Sequence, residues 1–172
     1  MDLLPGRTCR ATPYLYSAKD IVALITAAGA LRTPHRVATY RTLIALLAVT
    51  GMRVGEAISL DRSDFDAVNG LLIIRHGKFG KSRELPLHPS TAAALGEYLS
   101  RTDRPCRSPN TPALFISIAG TRLIYTDVQP TFHQLVCLAG LKPRSASCRP
   151  RLHDMRHNSA SRIIPSAAAE LA

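Results

Sequence analysis

Arg53 stands in the run Thr50-Gly51-Met52-Arg53-Val54-Gly55-Glu56, and Arg156 in the run His153-Asp154-Met155-Arg156-His157. Each run places a guanidinium beside other polar groups in an otherwise apolar neighbourhood. Arginine stays charged at any working pH and offers a fork of N–H donors, so two of them make a ready phosphate clamp. Such a pair suits the non-bridging oxygens of a phosphodiester and the added negative charge of a pentacoordinate transition state. Lys78 and His153 are the matching candidates to supply the proton that a departing alkoxide needs. Arg53, Lys78, His153 and Arg156 together suit phosphoryl transfer without a metal, although no nucleophile is obvious among them.

The elements that must hold these side chains are mostly helical. Ser17 with Asp20 three residues on resembles a capping box, and Ile21, Leu24, Ile25 and Ala28 follow at helical spacing, with Gly29 and Pro34 closing the helix. A second helix is predicted from about Val37 to Val49, with Tyr40, Leu43, Ile44 and Leu47 on one face and Gly51 as its stop. Arg53 therefore falls at a helix end beside a tight turn, and a short helix from Val54 to Leu60 puts Glu56 one turn away. The period then changes. Asn69-Gly70 signals a turn, Leu71–Ile74 a strand, Gly77–Gly80 a second turn and Arg83–Leu87 a returning strand whose Pro86 suits a sheet edge. Lys78 lies at the tip region of that hairpin. Pro89 and Ser90 open another helix through Leu99, residues 101–112 read as an exposed loop, and Leu114–Ile118 as a brief strand. Thr126 or Asp127 is placed to cap a helix ending at Gly140. A basic loop follows, with Lys142, Arg144, Arg149 and Arg151 and no acid, and a last helix is expected from about Asp154 to Ile164.

The 172 residues, 46% of them apolar, are one domain's worth of chain with ample material for a core. The excess of 22 Lys and Arg over 12 Asp and Glu, a net charge of +10, favours a polyanionic partner. Nucleic acid is the first candidate and an anionic membrane the second. No stretch approaches the ~20 apolar residues of a spanning helix, and residues 1–10 carry Asp2, Pro5 and two arginines in place of a signal peptide, so an intracellular, cytoplasmic protein off the membrane is expected. Cys9, Cys106, Cys137 and Cys148 form no CxxC pair, which argues for reduced thiols. A metal site from Cys137, Cys148, His153 and His157 has one helical His pair but a cysteine spacing outside the usual knuckle. No metal and no small-molecule cofactor are expected.

Three blocks carry a resemblance: Thr50–Glu56, Gly77-Lys78-Phe79-Gly80-Lys81-Ser82-Arg83-Glu84-Leu85-Pro86-Leu87, and Leu152-His153-Asp154-Met155-Arg156-His157. In their order and separation they resemble the signature blocks of tyrosine recombinases, the family of phage-type integrases, across about Ser17 to Ser161. The resemblance implies an α+β, mainly helical catalytic domain with a small antiparallel sheet, which clamps duplex DNA and cuts one strand through a covalent phosphotyrosine. By position, Arg53 and Arg156 correspond to the phosphate-binding arginines, Lys78 to the general acid for the leaving 5′ oxygen, and His153 to the first histidine of the HxxR block. Glu56 is expected to support Arg53, and His157 adjoins the block as it often does in the family. Lys81, Arg83, Lys142, Arg144, Arg149 and Arg151 are the expected DNA contacts, although the loop cations equally suit a solvated loop. In isolation Arg53 and Glu56 would read as an i,i+3 surface pair, and Lys78 and Lys81 as ordinary turn lysines.

The chain departs from the family pattern after Arg156. Beyond His157 there is no Tyr, Trp or His, and Pro165 breaks a continuing helix. Tyr14, Tyr16, Tyr40, Tyr98 and Tyr125 all precede the HxxR block, so no residue is assigned as nucleophile. The expectation is a leader at 1–16 without a core-binding domain, a truncated integrase-like domain at 17–164 and a divergent tail at 165–172. Such a domain would serve DNA integration and recombination but would not cleave alone; a complete recombinase protomer is its second expected partner. A non-catalytic DNA-binding or interaction module retaining the fold is the alternative. Without a core-binding domain, binding is expected to be backbone-directed and salt-sensitive.

Overall fold

The computed structural model describes residues 12–75, 82–104 and 111–158. Lys78 and Lys81 lie outside them, as do residues 159–164 of the expected last helix.

Helix α1, Ala18–Ala27, begins at Ser17, whose hydroxyl accepts the Asp20 N–H while the Asp20 carboxylate accepts the Ser17 N–H. This is the capping box that the Ser17 and Asp20 spacing announces. Helix α2, Pro34–Thr50, starts three residues earlier than Val37, and Pro34 opens it instead of closing its predecessor. Thr33 is the cap, accepting the Arg36 N–H, and Pro34 fills the first helical position, where a missing N–H costs nothing. Along α2 the buried residues occupy well over half of the helix circumference and include Thr39, Leu46 and Ala48 besides the expected Tyr40, Leu43, Ile44 and Leu47. A helix buried across so wide a sector belongs inside. Accordingly α1, α4, α3 and the segment 152–158 all pack against α2.

Gly51 ends α2 with φ of 60°, and α3, Val54–Ser59, follows at once. Three strands form an antiparallel sheet in the order β1 (Phe65–Asp66), β2 (Leu71–Ile74), β3 (Arg83–Pro86). Strand β1 is too short to show an alternation in sequence. In β2, Leu72 and Ile74 point into the core, and Pro86 sits on the edge strand, opposite Leu71. Helix α4, Pro89–Ser100, then packs on α2.

Two expected elements differ. Residues 114–118 make no strand; single bridges join Ala113 to Asp61 and Ile116 to Arg122. An apolar run as fully buried as Leu114, Phe115 and Ile116 looks like a strand by pattern alone. Helix α5 spans Tyr125–Leu138 with Ile124 as its cap, so Thr126 and Asp127 lie within its first turn and the backbone carbonyl of Ile124 takes the Asp127 and Val128 N–H groups. Pro130 stands inside α5, where it removes one helical hydrogen bond. Among the described residues no helix is long and apolar enough to cross a membrane.

Candidate functional site

The first half of the site is a corner between α2 and α3. Gly51 adopts the left-handed conformation that a side chain disfavours, which lets the chain turn sharply and its N–H reach the Leu47 carbonyl at 3.0 Å. Thr50 reinforces the corner, donating its hydroxyl to the Leu46 carbonyl and accepting the Met52 N–H. Met52 is buried and pins the turn to the core. Arg53 is thereby the residue that caps α3.

Glu56 binds Arg53 twice. One carboxylate oxygen accepts the Arg53 backbone N–H at 2.8 Å, and the other accepts Nη1 of the guanidinium at 2.9 Å. Arg83, at the start of β3, donates Nη2 to the first of these oxygens at 3.0 Å. The Glu56 side chain is 9% exposed, against 31% for Arg53 and 47% for Arg83. A buried anion thus holds two half-exposed cations that still face solvent. Burial pushes the Glu56 carboxyl up, but the Arg53 N–H and the Arg83 guanidinium outweigh it and hold the group below the usual carboxylate range. Arg83 pairs with Ile74 at the end of the hairpin from which the Lys78 connection leaves, so this ion pair ties the base of that connection to the Arg53 corner.

The second half is the segment Leu152–Asn158, a 3-10 helix and not the α-helix predicted from Asp154. Its period of three residues aligns positions three apart. Leu152 and Met155 share a buried face, at 6% and 1% exposure, and His153 and Arg156 share an exposed one. Packing of Leu152 and Met155 against the core thus favours the tighter helix and sets the histidine and arginine side by side. His157 is exposed beside them. This segment packs on α2, the same helix that ends at the Arg53 corner.

The structure brings Arg53, Glu56 and Arg83 into contact and places His153 next to Arg156. Of the basic loop, Lys142, Arg149 and Arg151 are exposed. Arg144 is exposed too, and its guanidinium also donates to the Leu15 carbonyl at 2.8 Å, lies 4.5 Å from the Tyr14 ring centre and 3.8 Å from the Asp20 carboxylate. Cys137 is exposed, whereas Cys148 is buried with its thiol toward the Pro13 carbonyl.

Two supports escape sequence reasoning. The segment 13–17 lies against residues 144–154: the Tyr14 N–H donates to the buried Asp154 carboxylate at 3.1 Å and the Tyr16 hydroxyl to the Arg151 carbonyl at 2.9 Å. Burial and then the Asp154 charge push the Tyr16 hydroxyl up, so it remains a donor. The second support is Arg122, whose guanidinium takes the Ile58 and Leu60 carbonyls at the end of α3 and pairs with Asp61. The alternation of Tyr14 and Tyr16 was the available signal for the first; nothing local announced the second.

Residues 16–169 match the phage integrase family. A Sinorhizobium fredii protein named as an integrase/recombinase, y4rB, is 45% identical over 161 residues, covering 90% of this chain and 51% of that protein. The crystal structure of the XerA recombinase superposes with a TM-score of 0.70 at 27% identity, over 87% of this chain and 50% of that one. The XerH site-specific recombinase, solved with its difH substrate in a post-cleavage complex, shares the fold at a TM-score of 0.65 and 24% identity, over 86% of this chain and 41% of that one. The chain spans about half the length of the curated relatives it matches.

Proposed function

The chain belongs to the phage integrase family, and from that premise we propose that it binds duplex DNA and grips one phosphodiester between Arg53 and Arg156 for site-specific recombination. The observation that carries this reading is the 3-10 segment that presents His153 and Arg156 together while packing on the helix that ends at Arg53. Charge-assisted N–H donors from two arginines match the non-bridging oxygens and the charge that builds on them during transfer. Glu56 keeps the Arg53 guanidinium oriented, and His153 assists proton transfer. Lys78 protonates the leaving 5′ oxygen. Lys81, Lys142, Arg149 and Arg151 contact the backbone on either side, with Arg83 and Arg144 adding to that field from their ion pairs.

The attacking hydroxyl comes from elsewhere. Tyr14, Tyr16, Tyr40 and Tyr98 are 3–5% exposed. The hydroxyls of Tyr16 and Tyr40 donate to backbone carbonyls, and that of Tyr98 pairs with Thr39. Burial raises the pKa of all three of these groups, which disfavours a phenolate nucleophile. Tyr125 is exposed, in the first turn of α5. This supports a reading in which these residues bind and polarise the phosphodiester, while a tyrosine outside this sequence, in the same polypeptide or in a complete recombinase protomer, attacks it.

A nicked suicide DNA substrate tests the reading. Salt-sensitive binding is expected, with no denaturation-resistant adduct from this chain alone and an adduct once a tyrosine-bearing protomer is added. An adduct formed by the chain alone overturns the division of labour. Binding without an adduct even in the presence of that protomer supports the non-catalytic DNA-binding module instead.

A further inference from the structure

We propose that Asp154 is a positioning residue: by holding the Tyr14 backbone it lets the strap of residues 13–17 set the register of the segment that presents His153 and Arg156. This rests on the reading of Arg156 as a phosphate contact. Asp154 is the one acid among residues 142–157, a stretch otherwise rich in Lys, Arg and His. A carboxylate there opposes a polyanion, so its presence calls for another role. It is 5% exposed, and the Tyr14 N–H meets it in the protein interior at 3.1 Å. The residue lies between His153 and Arg156, so a rotation of this 3-10 helix moves all three together.

The strap is fixed along its length. The Arg151 carbonyl, where the 3-10 segment begins, accepts both the Asp154 N–H at 3.1 Å and the Tyr16 hydroxyl at 2.9 Å. The Pro13 carbonyl faces the Cys148 thiol at 3.7 Å, and the Leu15 carbonyl takes the Arg144 guanidinium. The Tyr14 and Tyr16 rings lie 4.8 Å apart, and Tyr16 meets Phe132 of α5 edge-on. Ser17 then starts α1. A segment held at both ends and in the middle transmits position; a loose leader would not.

The test is duplex DNA binding by the whole chain, followed by fluorescence anisotropy across a salt series, for Asp154→Ala, which removes the acceptor of the Tyr14 N–H, Arg156→Ala and the double variant. The charge change in Asp154→Ala alone tightens binding to a polyanion. Loss of positioning weakens it, by about tenfold and with a salt slope shallower by about one, as losing one phosphate contact would give. On the Arg156→Ala background the same substitution costs under about twofold, because two residues acting through one contact are not additive. Tyr16→Phe retains the ring and loses the hydroxyl; it weakens binding in the same direction by about threefold, again only where Arg156 is present. It decides the matter if Asp154→Ala does not melt cooperatively. Unchanged or tighter binding by whichever of these variants folds, while Arg156→Ala weakens it, overturns the positioning role alone. Unchanged binding by Arg156→Ala overturns the phosphate-contact reading and this inference with it.

Discussion

Arg53 is held by residues close to it in the chain, whereas Arg156 rides on a segment whose supports come from the opposite end of the sequence. At the Arg53 corner, among the described residues, Leu46, Leu47, Thr50, Gly51 and Glu56 supply most of the hydrogen bonds, with Arg83 reaching in from β3 and Arg122 bracing the far end of α3. At the Arg156 segment, Tyr14 and Tyr16 supply hydrogen bonds across 140 and 135 residues of sequence. The same side chain, offered for the same chemistry, is thus made locally in one place and by tertiary closure in the other. Stability need not be shared evenly between two such halves. The locally built corner is expected to keep its shape longer than the tied segment when distant packing loosens.

The strongest way to break this contrast is Phe132→Ala, which removes the buried ring that backs Tyr16. It should cost about 3–5 kcal/mol in thermal or denaturant unfolding. Amide exchange should then speed up at Tyr14 and Asp154 before it does at Ala57. Gly51→Val attacks the other half, forcing a β-branched residue to φ of 60° at roughly 1–2 kcal/mol; chemical shifts around Glu56 should move while those around Tyr16 stay. Ser17→Ala removes the cap where the strap enters α1 and should cost about 1 kcal/mol, with exchange at Tyr14 as the sharper readout.

The smallest effect is a matter of pH. Glu56 sits below its ordinary value of 4.5 in the folded protein, so as pH falls the unfolded chain takes up the proton first. Its contribution is whole above that value and fades as pH drops through the lower folded one. An unfolding series through this range should show the loss in the parent and a flatter curve for Glu56→Gln. The difference should be under about 1 kcal/mol, as befits ion pairs to half-exposed arginines.

The same contrast decides what could be read without a structure. Ser17 with Asp20, Gly51 as a helix stop, the hairpin and the edge position of Pro86 are local signals, and each appears in the fold. Arg53 with Glu56 was legible for the same reason, being three residues apart. Pro34 was misread because proline both ends one helix and opens the next, and only the Thr33 cap tells which. The Leu114–Ile118 run was misread because complete burial removes the alternation that distinguishes a strand. The 3-10 form of 152–158 depends on Leu152 and Met155 finding the core together, and the Arg83 pair with Glu56, 27 residues apart, depends on β3 pairing with β2. The Tyr14 contact with Asp154 left only the alternation of Tyr14 and Tyr16 as a trace, which does not say what the two residues meet. The family blocks marked the candidate side chains; they said nothing of what keeps them in place.

The bond between Tyr14 and Asp154 also has a meaning for synthesis. Tyr14 leaves the ribosome 140 residues ahead of its acceptor, a wait of roughly 7–28 s at about 5–20 residues per second. In the course of that interval α1, α2 and the Arg53 corner emerge and become free to fold, while the surface that carries His153 and Arg156 does not yet exist. On the proposed reading, a nascent chain at that stage carries only one of the two arginines that would hold a phosphodiester, so the paired arrangement comes late in the order of translation.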